Sequence, residues 1–109
     1  IDPARIGVIG ISSGATYSLA VGMANGDIFS RVACLAPGNL IGVPEVGKPE
    51  VFISHGLFDQ VYTIESSSRP IVRELQKRHY VVDYHEFQGG HTVFEPHVDL
   101  VMPWLAAPR

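Results

Sequence analysis

The sequence predicts an α/β fold in which a parallel sheet is flanked by helices. Short apolar runs rich in β-branched residues alternate with segments whose apolar residues recur at helical spacing. Strands and helices that alternate in this way are typical of βαβ crossovers, which build parallel sheets. The 109 residues, 46% of them hydrophobic, suffice for one domain with its own core and for no more.

Four segments are predicted to be strands: 5–11, 31–36, 50–54 and 80–87. Three of them are nearly continuous in apolar character, as expected for strands that are covered on both faces. Between the second and third strands, residues 37–49 contain three glycines and three prolines and have no helical period. This composition predicts an irregular crossover.

Three segments are predicted to be helices. The first follows the first strand, because Ala15, Leu19 and Met23 fall four apart on one face, and Gly26 is expected at its C-cap. The second is expected to begin near residue 67 or 68, because Pro70 suits a first helical turn. The third has apolar residues at 94, 98, 101 and 105, with a proline at 96 in its first turn and a kink expected at the proline at 103.

Composition excludes several classes of function. The formal charge is −3, and most of the eight Lys and Arg residues are scattered along the chain. The one cluster, at 73–78, is expected with Glu74 on a solvated helix face. Nucleic acid is therefore not an expected partner. No apolar stretch reaches the roughly 18–20 residues of a membrane span, and no signal peptide is recognisable. A cytoplasmic location is favoured, although a secreted protein whose signal had been removed would look the same.

The single cysteine and the histidines do not suggest a metal or a cofactor. Cys34 excludes an internal disulfide, and its apolar neighbours predict a buried, inert thiol. The histidines do not stand at ligand spacing in a shared helix or knuckle; His91 and His97, for example, are six residues apart. We therefore expect neither a metal nor a cofactor.

The most informative motif is Gly10-Ile11-Ser12-Ser13-Gly14, which has the pattern G-x-S-x-G. It lies between a predicted strand and a predicted helix, where a sharp turn can hold a serine hydroxyl clear of the sheet. Such a turn requires neighbours without side chains two positions away on either side. The two glycines are expected to meet that requirement.

Three polar residues follow three predicted strands and so are expected at one edge of the sheet, where α/β proteins bind ligands. Ser12 would be a nucleophile, His91 the base that takes its proton, and Asp59 the carboxylate that fixes the imidazole tautomer. Ser, Asp and His follow one another along the chain in the order used by serine enzymes whose nucleophile lies in a turn between a strand and a helix. The backbone N–H of Ser13 would be one half of an oxyanion hole.

Simpler interpretations exist for each residue taken alone. Asp59 could be a turn or helix-capping carboxylate, and His91 could be a helix-start residue without a function. Their joint placement favours the catalytic interpretation. The other candidates are less well placed, because they belong to helix ends, to strands or to the loop that presents Asp59: His55, His79, His85, His97, Asp83 and Glu86.

Three segments of the chain resemble the nucleophile, acid and base segments of α/β-hydrolases. They are residues 2–14 (DPARIGVIGISSG), 55–59 (HGLFD) and 89–91 (GGH). The resemblance is greatest to small carboxylesterases and phospholipase-like members, including relatives of polyhydroxybutyrate depolymerase and feruloyl esterase. It implies Ser12, Asp59 and His91 as the catalytic triad, and four strands that are consecutive neighbours.

Two departures from these enzymes affect the expected activity. Ser13 replaces the bulkier Gln, Asn or Met often found after the nucleophile. The resemblance also implies upstream strands and a glycine-rich loop that gives the second oxyanion donor, and the 109 residues contain neither. Because the sequence starts at Ile1 rather than Met, we expect an upstream part, and we assign 1–109 to the carboxyl-terminal part of one hydrolase domain.

The sequence therefore predicts a serine hydrolase that cleaves small carboxylic esters. A peptidase or acyltransferase on the same scaffold stays open, since the same acyl-enzyme can form from an ester or an amide. A binding module without catalysis is the alternative from another class. Self-association through residues 6–11 of the first strand is also expected, because these residues lack the charges and prolines that protect natural edges.

Overall fold

The structure, a computed structural model, describes residues 6–107. Over this range the chain forms seven elements, in the order β1 (Gly7–Ile11), α1 (Ser13–Ala24), β2 (Arg31–Leu35), β3 (Glu50–Gly56), α2 (Ser68–Lys77), β4 (Val82–Phe87) and α3 (Glu95–Ala106). The four predicted strands and three predicted helices are confirmed. Residue 5, which the first predicted strand included, lies outside the described residues.

The four strands form one parallel sheet in the order β1-β2-β3-β4. The strands are consecutive neighbours, as the resemblance implied. Their carboxyl ends are in register at one edge, where Ile11 is opposite Leu35 and Gly56 is opposite Phe87. The turns that follow β1, β3 and β4 therefore open on the same side of the molecule.

Helices cover the sheet in two layers because successive strand residues point to opposite faces. On one face, Val32 and Ile53 pack against Leu19 of α1 and Leu75 of α2, and all four side chains are fully buried. On the other face, Phe52 and its neighbours pack against Val101 of α3. The helical face predicted for α1 is confirmed, since Ala15, Leu19 and Met23 are all completely buried.

The prediction that the strands are covered on both faces is wrong for β1. Ile9 is 39% exposed and Ile11 is 54% exposed, whereas every residue of β3 after Glu50 is buried. The exposed residues alternate along β1, so the face opposite Val8, which packs against the core beside α1, is the face that lacks cover. Within residues 6–107, β1 also pairs only with β2 and forms one end of the sheet. An apolar strand edge is thus exposed in the part of the chain that the structure describes.

Gly26 is not the C-cap that the sequence predicted. Helix α1 ends at Ala24 with Asn25 as its cap, and Gly26 does not have the positive φ of a left-handed cap. Its small size is needed for another reason: a Cβ here would lie 2.1 Å from the carbonyl oxygen of Val46 in the crossover. That crossover is irregular, as predicted, and α3 runs through Pro103 to its end at Ala106.

Candidate active site

Ser12 occupies a sharp turn between β1 and α1. Its φ of 58° and ψ of −124° are unusual for a residue with a side chain, and such strained conformations concentrate at functional sites. The turn is held by the Ser12 N–H, which donates to the carbonyl of Leu35 (2.8 Å), and by the Ser12 carbonyl, which accepts from the N–H of Ala15 (2.9 Å). The backbone of the G-x-S-x-G motif thus turns sharply from strand to helix, and its role as a nucleophile elbow stays a prediction.

The two glycines of the motif differ in what they contact. A Cβ on Gly10 would lie 2.2 Å from the carbonyl oxygen of Gly14 and 2.4 Å from Oγ of Ser18, so the turn requires glycine at position 10. A Cβ on Gly14 would meet no heavy atom within 4 Å among the described residues. The expectation that both positions exclude a side chain is therefore wrong for Gly14, which lies on the exposed side of α1.

The loops after β3 and β4 are joined by their backbones. The N–H of Leu57 donates to the carbonyl of Phe87 (2.8 Å), and that of Phe58 donates to Gly89 (2.9 Å). Gly56 permits this approach, because a Cβ there would lie 2.3 Å from the carbonyl oxygen of Gly90. The joined loops carry Asp59 and His91.

The two carboxylate oxygens of Asp59 accept hydrogen bonds from different donors. Oδ1 accepts hydrogen bonds from the backbone N–H groups of Val61 and Tyr62, both at 2.8 Å. Oδ2 accepts from Nδ1 of His91 at 2.7 Å. One oxygen thus closes a turn, as the simpler sequence interpretation expected, and the other faces the imidazole of His91.

The surroundings of Asp59 favour its ionised form. The side chain is fully buried, and burial alone would raise the pKa of the carboxyl group. The hydrogen bonds from His91, Tyr62 and Val61 outweigh burial and hold the pKa of Asp59 below its ordinary value. A carboxylate at this position can therefore accept from His91 over the whole neutral range.

His91 connects Asp59 to Ser12. Because a carboxylate only accepts, Nδ1 of His91 carries the hydrogen, and in the neutral ring Nε2 is left as an acceptor. Nε2 lies 2.7 Å from Oγ of Ser12, so the hydroxyl donates to it. The His91 side chain is 23% exposed, whereas that of Asp59 is buried. Solvent therefore reaches the imidazole but not the carboxylate.

The structure thus brings together the three side chains that the sequence selected from three strand ends. It also places Ser13 as the first residue of α1. The first N–H groups of a helix have no partner within the helix, and the helix dipole favours a negative charge beside them. The Ser13 amide is therefore available to an oxyanion formed next to Ser12. The catalytic roles of these four residues stay predictions.

Two of the competing histidines lie beside other side chains. His97 of α3 bonds through Nδ1 to Oγ of Ser54 at 2.6 Å, and Nε2 of His85 lies 2.8 Å from a carboxylate oxygen of Asp83. Cys34 is fully buried, and burial raises the pKa of its thiol to about 12, so it is not a nucleophile at neutral pH.

One residue beside the site was not found from the sequence. Tyr62 packs its ring edge-to-face against His91, with ring centroids 5.3 Å apart, in addition to its backbone bond to Asp59. The only available signal was its spacing, three residues after an aspartate that closes a turn. Nothing in the composition of the loop points to a ring above the histidine.

Residues 6–107 contain neither a cluster of metal-ligating side chains nor a membrane-spanning helix. No group of three or more His, Cys, Asp or Glu side chains could hold a metal ion. Within the same range, the helices are all too short or too polar to cross a membrane.

The four parallel strands and three helices form a partial α/β-hydrolase fold, as the similarity to solved structures shows. Esterase PE8 is 22% identical over 96% of this chain, with a TM-score of 0.84. SOBER1 from Arabidopsis thaliana is 17% identical over 96%, with a TM-score of 0.83, and the carboxylesterase of Bacillus cereus is 19% identical over 96%, with a TM-score of 0.78. No protein-family model matches the sequence, and neither does any curated protein.

The chain spans about half the length of these solved structures. It covers 51% of esterase PE8, 53% of SOBER1 and 50% of the Bacillus cereus carboxylesterase. The resemblance to α/β-hydrolases is confirmed at the level of the fold.

Proposed function

We propose that the chain carries the catalytic triad of a serine hydrolase that acts on carboxylic esters. The observation that supports this most strongly is the pair of 2.7 Å hydrogen bonds that link Ser12 to His91 and His91 to Asp59. The similar structures include an esterase and a carboxylesterase, which supports ester substrates.

In the proposed acylation step, Oγ of Ser12 attacks the ester carbonyl while Nε2 of His91 takes the hydroxyl proton. The imidazolium that forms is stabilised by the carboxylate of Asp59, which stays ionised. Negative charge develops on the former carbonyl oxygen and is met by the N–H of Ser13. The tetrahedral intermediate collapses when His91 returns the proton to the departing alkoxide, which leaves as the alcohol.

Deacylation uses the same groups with water as the nucleophile. His91 takes a proton from water, the resulting hydroxide attacks the acyl carbon, and His91 then protonates Oγ of Ser12 as the acid product leaves. The exposed edge of the His91 ring gives water access to this step.

A second oxyanion donor is part of the proposal but is not assigned among residues 6–107. We propose that a segment beyond the 109 residues supplies it, because the chain covers only about half of each similar structure. Loss of one oxyanion donor typically costs about 10²–10³ in rate. The chain alone is therefore expected to be a slow enzyme.

The test is hydrolysis of a short p-nitrophenyl ester and its p-nitroanilide analogue, with and without an added alcohol. Ester cleavage that disappears in Ser12→Ala, without cleavage of the anilide, supports an esterase. Cleavage of the anilide that also depends on Ser12 would instead indicate a peptidase, and transfer to the alcohol an acyltransferase. Ser66→Ala, an exposed serine before α2, is the matched control. Equal rates in wild type and Ser12→Ala would contradict the proposal and favour a binding module.

A further inference from the structure

A second histidine, His55, lies behind Asp59 and takes no part in the proposed mechanism. It is the penultimate residue of β3, and it is completely buried. Its Nδ1 lies 2.5 Å from Oγ of Ser68, its Nε2 lies 2.7 Å from the carbonyl oxygen of Tyr62, and the same Nε2 lies 3.2 Å from Oδ2 of Asp59. A buried imidazole with both nitrogens engaged is held in a single orientation.

These contacts determine which nitrogen of His55 carries the hydrogen. The two oxygens near Nε2 belong to a carbonyl and a carboxylate that ionises readily, and neither can donate. A lone pair on Nε2 would face two negative oxygens, so Nε2 carries the hydrogen and donates to Tyr62. In the neutral ring, Nδ1 is then the acceptor, and the hydroxyl of Ser68 donates to it.

The oxygen of Asp59 that faces His55 is the one that accepts from His91. Oδ2 lies 2.7 Å from Nδ1 of His91 and 3.2 Å from Nε2 of His55. Tyr62 closes the arrangement, because its N–H donates to Asp59 while its carbonyl accepts from His55. Movement of the His55 ring would therefore displace both the Asp59 loop and the carboxylate within it.

We propose that His55 is a positioning residue that acts through Asp59. Its Nε2–H anchors the Asp59 loop at the Tyr62 carbonyl and keeps Oδ2 directed at His91, while Ser68, the first residue of α2, fixes the His55 tautomer. This inference rests on the proposed function, since it assigns a supporting role to the same triad.

Two substitutions of His55 separate the role of Nε2 from that of the ring. The amide nitrogen of His55→Gln reaches the position of Nε2, whereas that of His55→Asn reaches only the position of Nδ1. We expect His55→Asn to slow covalent labelling of Ser12 by a fluorophosphonate by roughly 10²-fold, because a displacement of about 1 Å at a catalytic group has an effect of that size. His55→Gln should restore most of the rate.

The second readout does not depend on activity. The proton shared by Nδ1 of His91 and Asp59 gives a low-field resonance in proton NMR, and we expect His55→Asn to shift or broaden it while His55→Gln preserves it. Far-UV circular dichroism checks the fold of each variant. Ser68→Ala, which removes only the tautomer-fixing hydroxyl, should shift the resonance and slow labelling by a smaller factor.

The outcomes distinguish this inference from the proposed function. Wild-type labelling and an unchanged resonance in a folded His55→Asn, or equal losses in His55→Asn and His55→Gln, would overturn the role of His55. If the Asn variant does not fold, an unchanged resonance in Ser68→Ala overturns it. Failure of the wild-type chain to label at Ser12 would count against the proposed function, and the resonance would still test His55.

Discussion

Gly56 and Gly90 lie in contact where the loops after β3 and β4 meet. A Cβ at position 56 would be 2.3 Å from the carbonyl oxygen of Gly90, well inside contact distance. The loops that carry Asp59 and His91 are therefore held at a separation that only glycine at position 56 permits. The 2.7 Å bond between the carboxylate and the imidazole depends on that separation.

Gly56→Ala is expected to destabilise the protein and to slow the labelling of Ser12. The added methyl group must push the two loops apart, which lengthens the bond between Asp59 and His91. Overpacking of this kind typically costs about 1–3 kcal/mol in the free energy of unfolding. Chemical denaturation measures the change. Gly42→Ala is the matched control, because among residues 6–107 a Cβ there would meet no heavy atom within 4 Å; equal effects of the two substitutions would contradict the assignment.

Ser12→Ala and His91→Ala should each abolish ester hydrolysis and leave the fold intact. Because the two residues share one proton transfer, the double variant should be no slower than either single variant. Initial rates with a short p-nitrophenyl ester measure the three losses, and circular dichroism checks the fold. Additive losses would argue against a shared mechanism.

Asp59→Asn should reduce turnover by about 10⁴, by analogy with other triads that lose their carboxylate. An amide nitrogen facing His91 would force the wrong tautomer, with the hydrogen on Nε2 and no acceptor for Ser12. Stopped-flow or long-time hydrolysis assays measure the loss. Wild-type turnover in this variant would reassign the acid, and Glu86 and Asp83 would be tested next.

Acid should weaken the packing of α3 through His97. Burial and the nearby His85 lower the pKa of His97 below its ordinary value of 6.5, although Asp83 opposes the shift. The unfolded chain therefore binds the proton more readily, so the stabilisation is complete above pH 6.5 and is lost as the pH falls below that value.

Thermal unfolding at about pH 7.5 and about pH 5.5 measures this effect, because the two values lie on either side of an ordinary histidine pKa. His97→Asn keeps a polar partner for Ser54 and does not titrate in this range, so its unfolding temperature should fall less between the two pH values. An equal fall in the unfolding temperature of wild type and variant would contradict the assignment of the pH effect to His97.

The exposed edge of β1 should make the isolated chain associate. Ile9 is 39% exposed on a strand that pairs on one side only, within the described residues, and unprotected strand edges promote pairing between chains. Ile9→Lys should shift the protein towards monomer in sedimentation velocity. Val81→Lys, which charges an exposed apolar residue beside the opposite edge, should not; an unchanged distribution in both variants would place the contact elsewhere.

The sequence was sufficient to predict the strands, the helices and the three strand ends that meet at the site. Periodicity reports which faces are buried, and a parallel sheet brings carboxyl ends together. It could not show that β1 is exposed, because an apolar run does not reveal whether a neighbouring strand or helix covers it. It also could not distinguish Gly10, where a Cβ would clash with the turn, from Gly14, where a Cβ would meet no heavy atom within 4 Å among the described residues.

The sequence also did not predict the contacts between side chains of the site that are far apart along the chain. The ring of Tyr62 on His91 joins two different loops, and the bond between His55 and Ser68 joins β3 to α2. Their side chains meet only because the fold brings those segments together. No local pattern encodes either contact.

The proposed activation of Ser12 by His91 is tested most directly by treating the chain with a fluorophosphonate probe and locating the adduct by peptide mass spectrometry. This activation predicts one adduct, on Oγ of Ser12, whose formation stops in His91→Ala although the serine is still present. No adduct on the folded wild-type chain, or labelling of Ser12 at the same rate without His91, would contradict it.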